Sequence, residues 1–411
     1  MAKGYLQMDV VSDADNFPVA DAEISISRTE EPDQVLEQII TNSSGQTENV
    51  ALDAPPVELS LTPTNDVRPY AEYTVRITAP GFEPVVISGT EILADTTAIQ
   101  GVRMIPLAES AGQREEDIVI PDHTLYGIFP PKIAESEIKP VAESGEIVLS
   151  RVVVPQTVVV HDGVPANSSA KNYYVPYRDY IKNVASSEIY ATWPQATITA
   201  NVLAIMSFTL NRVYTEWYRN QGYDFTITSS TAYDHKWIYG RNIYESISVI
   251  VDDIFDNYLS RPEVKQPILT QYCDGRRVSC PGWMTQWGSC ELGEQGMSPI
   301  EILRYFYGDD IYINTAEQIS GIPASFPGTN LTVGSSGEKV RQIQEQLDTV
   351  ASIYSTIPRV TIDGIYGTGT QRAVEAFQSV FGLPVTGIVD FATWYKISHI
   401  YVGITRIAEL N

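Results

Sequence analysis

Glu188 stands in the run S-S-E-I-Y-A-T-W-P, just ahead of the Trp193-Pro194 pair. Ile189, Tyr190 and Trp193 surround it in sequence, and apolar neighbours raise the pKa of a carboxyl until it can protonate a leaving oxygen. Taken alone, a glutamate ahead of a helix start is more often a cap or a solvated residue. His235, in T-A-Y-D-H-K-W, is one of only 4 histidines, and a lone histidine is more often a satisfied structural residue than a substrate binder. Tyr272, Gln286 and Trp287 are further candidates for contact with a substrate. Trp193 and Trp287 each offer a flat face that suits a sugar ring or a core. Cys273 and Cys280 bracket D-G-R-R-V-S, a loop short enough for a disulfide, with Cys290 close behind. A bridge, free thiols, and a zinc site drawing on Cys290 or His235 all stay open.

Elements must hold these groups in place. Residues 1–110 read as a β-sandwich. Short β-rich runs (YLQMDVV, AEISISR, VLEQIITN, VELSLTP, YTVRITAPG, EPVVISGTEI, AIQGVRMIPL) are separated by turn signals such as Asn42-Ser43-Ser44-Gly45 and Ala79-Pro80-Gly81. Residues 111–175 read as an extended linker, with charges at Arg114, Glu115, Glu116 and Asp117, then Pro130-Pro131, and β-rich runs near its end. Residues 176–325 turn mainly helical, with helices expected over 177–186, 196–218, 243–258 and 299–307. Pro194 is placed at a first helical position, and the second helix is expected to bury most of one face. Residues 330–402 carry three helices separated by Gly-rich turns, with Gly382 ending the second and Thr370 or Asp363 capping it. The fold class is therefore multidomain α+β: a β-sandwich, a central mainly helical α+β domain, and a three-helix C-terminal unit.

Charge limits the partners. The chain of 411 residues has a formal net charge of −24. Residues 1–150 hold 8 Lys and Arg against 26 Asp and Glu, whereas residues 151–411 hold 19 against 25. No basic stripe exists to neutralise phosphates, so nucleic acid is not an expected partner. No segment approaches the roughly 20 apolar residues that span a bilayer. The first residues alternate like a strand and do not form a classical signal peptide.

Two resemblances give these features a frame. At the C-terminus, V-R-Q-I-Q-E-Q-L, D-G-I-Y-G-T-G-T-Q-R-A-V-E-A-F-Q and G-L-P-V-T-G-I-V-D-F-A-T-W together resemble the three-helix peptidoglycan-binding domain. Val374, Phe377, Leu383 and Trp394 read as its core, and Asp363, Tyr366, Arg372 and Gln378 as its candidate ligand contacts. In the centre, Y-I-K-N-V-A-S-S-E-I-Y-A-T-W-P and W-M-T-Q-W-G-S-C-E-L-G-E-Q-G-M-S-P-I-E-I-L-R-Y-F-Y-G resemble the SpoIID-type lytic transglycosylase domain. The first hundred residues resemble the transthyretin or carboxypeptidase-regulatory sandwich. The domain order resembles spore cortex-lytic enzymes of the SleC type.

That resemblance implies a lytic transglycosylase acting on peptidoglycan glycan strands during germination, with Glu188 catalytic; no cofactor or metal is expected. SpoIID-type domains can carry a Cys/His zinc cluster near the histidine segment, but T-A-Y-D-H-K-W has no Cys. It also implies a precursor whose N-terminal region is removed by a subtilisin-like protease, which the acidic residues 1–150 and the linker before Arg151 fit, and a location in the spore cortex or cell wall. The alternatives are a non-catalytic peptidoglycan-binding protein that activates an amidase, and a phage or injection-device wall protein.

Overall fold

The computed structural model describes residues 2–107, 115–139, 149–321 and 325–405. Part of the stretch read as a linker, including Arg114 and Glu143, lies outside the described residues.

Strict alternation builds the N-terminal sandwich. In β1 (Ala2–Ser12) Leu6, Met8 and Val10 point inward. Ile24 and Ile26 in β2 (Glu23–Arg28) do the same, each strand burying every second side chain. β3 (Glu31–Ile40) and β4 (Val50–Ala54) follow. The run VELSLTP is not a strand: Pro55-Pro56 ends β4, and Glu58–Leu61 makes the short helix α1. β5 (Ala71–Thr78), β6 (Val85–Ile92) and β7 (Thr97–Met104) complete the first pass. One sheet runs β3-β2-β5-β6 and the other β4-β1-β7, and each gains a further strand from downstream. β8 (Glu116–Val119) pairs parallel with β6, and β13 (Ile243–Tyr244) pairs antiparallel with β7.

The described residues of the region expected to be an extended linker are packed. After β8 the chain runs without regular structure through residues 120–139, yet His123, Leu125 and Lys139 are buried. β9 (Val153–Val154), β10 (Thr157–His161) and β11 (Asn172–Pro176) then enter the central unit. There α2 (Tyr177–Glu188) precedes α3 (Gln195–Tyr214); Pro194 is the N-cap of α3 rather than its first residue, and α3 ends at Tyr214 rather than at 218. α3 is buried on all sides from Ala200 to Tyr214, not on one face, because helices and strands surround it.

β12 (Ile227–Thr228) pairs with β10. The helix expected over 243–258 shrinks to α4 (Glu245–Ile254), since its ends are taken by β13 and β14 (Asn257–Ser260). β15 (Tyr272–Cys273) and β16 (Met284–Thr285) form a short parallel pair. α5 (Gln286–Glu294) and α6 (Pro299–Tyr307) follow, and a Ser298–Glu301 capping box starts α6 at the expected proline. β17 (Tyr312–Thr315) pairs with β14, and β18 (Gln318–Ile319) with β9.

The C-terminal unit is α7 (Glu338–Ile353), α8 (Thr368–Val380) and α9 (Phe391–Thr405). Val374, Phe377, Leu383 and Trp394 are buried as expected. Two buried glutamines clamp its two turns in the same way. Gln344 Nε2 donates to Asp363 Oδ1, Ile365 O and Thr370 Oγ1, while its Oε1 accepts from the amides of Asp363 and Gly364. Gln378 repeats this pattern on Thr386, Gly387, Ile388 and Thr393. Gly364 and Gly387 sit at φ 75° and 65°, where a side chain would be strained. Neither Thr370 nor Asp363 caps α8, whose N-cap is Gly367, because Gln344 engages both side chains. A single apolar core cluster runs from the sandwich through the helices into this unit.

Candidate active site

Glu188 ends α2, because Ile189 turns to extended backbone at φ −135°. Arg178 and Lys182 fix the helix to Asp252 of α4, at 3.2 and 2.6 Å. Asn183 pairs with both the amide and the carbonyl of Ile238, which docks the loop carrying Lys236 against the same helix. That loop presents the Lys236 amide to Glu188 Oε1 at 2.6 Å. The Tyr272 hydroxyl, held on β15, donates to Glu188 Oε2. Gln286 Nε2 donates to the carbonyl of Glu188 at 2.9 Å, so α5 fixes the backbone of the residue too.

The Glu188 residue is 3% exposed yet lines a cleft of about 940 Å³. Burial raises its pKa above the ordinary carboxyl value, against the lowering effects of the Lys132 charge, the Tyr272 hydroxyl and the Lys236 amide. A carboxyl so placed holds its proton more tightly than one in water and can lend it to a group in the cleft.

Two stretches from different parts of the chain line that cleft. One is the loop closed by a Cys273–Cys280 disulfide, in which Asp274 accepts the amides of Arg276, Arg277 and Val278. The other is residues 122–132, including Tyr126, Phe129 and Lys132. Arg277 joins them by donating to Gly127 O at 2.7 Å. Asp66 of the sandwich reaches the same cleft and pairs with Arg276.

Behind the cleft lies a buried polar network. Asp234 accepts from Arg212 Nε at 2.7 Å, from the Tyr218 hydroxyl, and from the amide and hydroxyl of Thr228. Arg212 also forks onto Glu135.

Of the candidates named from sequence, Glu188, Tyr272 and Gln286 meet in the cleft. His235, Trp193 and Trp287 do not line it, which corrects the expectation that they touch substrate. His235 is wholly buried, stacked on Tyr272 and bonded through Nδ1 to the Tyr180 hydroxyl at 3.0 Å. Burial lowers its pKa well below the usual imidazole value, so it stays neutral behind the tyrosine. Trp193 and Trp287 pack on each other and on Tyr190, and the Trp193 indole donates to Ser60 O in α1. They are core.

In the C-terminal unit Tyr366 and Gln378 are likewise fully buried, and both donate to the 386–388 turn, Tyr366 to Gly387 O and Gln378 to Ile388 O, so neither is free for ligand. Arg372 is exposed, and so is Asp363, whose carboxylate is already engaged by Gln344 and Ile365. The cysteine alternatives resolve to one disulfide and one buried thiol, Cys290, pushed up by burial to about 12. Among the described residues no cluster of three His, Cys, Asp or Glu could hold a metal ion.

Tyr126, Phe129 and Lys132 escaped the sequence reading. The run Y-G-I-F-P-P-K lacks periodicity and sits in acidic surroundings, so it reads as a connector. Its density of aromatic residues was the available signal.

Comparison with known proteins defines the class of the C-terminal unit first. Residues 336–397 match the family described as "Putative peptidoglycan binding domain". A zinc D-Ala-D-Ala carboxypeptidase of Streptomyces albus G is 46% identical over 67 residues, covering 16% of this chain and 25% of that protein. A spore cortex-lytic enzyme of Bacillus cereus is 30% identical over 102 residues, covering 25% of this chain and 37% of that enzyme. Among solved structures, the SleB N-terminal domain is 31% identical with a TM-score of 0.17, covering 19% of this chain and 99% of that one. The chain thus spans only 25% and 37% of the length of those two curated relatives. Among the described residues no helix is long and apolar enough to cross a membrane.

Proposed function

We propose that the chain is a lytic transglycosylase that cleaves the glycan strands of spore cortex peptidoglycan. The observation that carries this reading is the Glu188 carboxyl, buried, proton-retaining and oriented by two donors, at the edge of a cleft large enough for sugar units. Glu188 gives its proton to the glycosidic oxygen as the bond to muramic C1 breaks. The 6-hydroxyl of the same muramic residue then closes on C1, and the carboxylate takes the proton that this hydroxyl releases. The products are a 1,6-anhydro end and a free hydroxyl on the departing sugar, and no water is consumed. Hydrolytic glycosidases commonly need a second carboxylate at a set distance, whereas this route needs one.

The C-terminal domain would hold the enzyme on the wall, and the similarity to a cortex-lytic enzyme supports the spore cortex as its location. Activation by a subtilisin-like protease cutting ahead of Arg151 fits an exposed Arg151 and a cleft partly lined by residues 122–132.

The test is digestion of cortex fragments by the full chain and by a form nicked ahead of Arg151, with mass spectrometry of the sugars. Anhydromuramic ends that disappear in E188Q are the expected result. Ordinary reducing ends would replace the reading with hydrolysis. Release that occurs only with an added amidase would make the protein a wall-binding activator.

A further inference from the structure

Lys132 is carried on residues 120–139, outside the helical unit, yet its ammonium lies among the groups that surround Glu188. It sits 5.2 Å from the centre of the Tyr272 ring and 5.1 Å from that of Phe208, and donates to Asp234 O. Tyr272 is therefore shared: its hydroxyl serves Glu188 while its ring face receives Lys132. Among the described residues no carboxylate stands within ion-pair distance of this ammonium.

The other charges nearby are engaged. Arg212 is committed to Asp234 and Glu135, and Glu135 also takes Lys139. His235 is neutral by burial, and the Lys236 ammonium lies over Phe129. Tyr180 bonds to His235 and holds its proton. Burial works against the charge of Lys132 while the nearby carboxylates of Glu188, Asp234 and Glu135 favour it, and such charges without a direct ion pair concentrate where chemistry needs them.

We propose that Lys132 is a positioning residue of the Glu188 site, the cation whose field governs when that carboxyl carries its proton. The inference rests on Glu188 being the acid, but its effect is present whether or not glycan is cut. Lys132 favours the ionised carboxylate, so it works against proton retention by burial and brings the two protonation states closer in energy. An acid that must later act as a base needs that balance.

The experiment is a pH titration of the Glu188 side-chain carbon in full-length protein labelled at glutamate, with the resonance assigned by its loss in E188Q. In K132M the midpoint is expected to rise by about one pH unit, the size of one nearby opposite charge. K132R keeps the charge and should keep the wild-type midpoint. K132Q, which can still donate to Asp234 O, repeats the test if K132M does not fold. An unmoved midpoint in a folded neutral variant overturns the proposal. Loss of the glycan-cleaving reading would show separately, as a wild-type protein with a titrating Glu188 and no anhydromuramic product.

Discussion

Glu188 receives two hydrogen bonds to its carboxylate and still holds its proton more tightly than a free carboxyl, because the cost of burying charge exceeds what two donors return. The sign of the stability effect follows. A raised folded-state pKa means that the protonated form suits the fold, so this group's contribution is full below the unfolded value and declines as pH rises through the folded one. E188Q should therefore melt roughly 2–4 °C higher than wild type at pH 7, with the gap closing toward pH 4, as calorimetry would show. Y272F removes a donor that favours the ionised form. It should move the glutamate titration further up, and with it the alkaline fall of any cleavage activity.

The twin glutamine clamps of the C-terminal unit show how elements are held. Each closes a glycine turn with five hydrogen bonds, and none of that can be read from a glutamine in a helix. Q344A should cost about 3 kcal/mol in denaturant unfolding, since it leaves buried amides and a threonine hydroxyl without partners. The sequence made the turns legible through D-G-I-Y-G and T-G-I-V-D. It misplaced Gln378 and Tyr366 as ligand contacts because residue type does not reveal direction. α6 was legible to the residue, since a proline, a serine and a glutamate mark its start locally. The ends of the 243–258 stretch were not, because β13 and β14 are set by partners far away in sequence. Glu188 was legible through its motif and apolar neighbours. Lys132, brought to it from residues without any pattern, was not.

At the scale of the molecule the sandwich is bonded to both other units. Glu91 of β6 and Arg241 form a fully buried pair at 2.6 Å, with Glu91 Oε2 and Arg241 Nε left without partners. Ser44 meets Thr356, and Gln46 donates to Val380 O, across the boundary with the C-terminal unit. R241M strands a buried carboxylate and should destabilise the chain by about 3–5 kcal/mol, whereas E91M/R241M together should lose far less. Chemical denaturation of the two variants beside wild type decides this. The strands donated by residues 116–119 and 243–244 have one more consequence. They are the outermost members of the two sandwich sheets, so residues 2–107 produced alone would display two naked rows of amides and carbonyls. Such a fragment should self-associate with concentration, and tethering the missing strands to it should return it to a monomer.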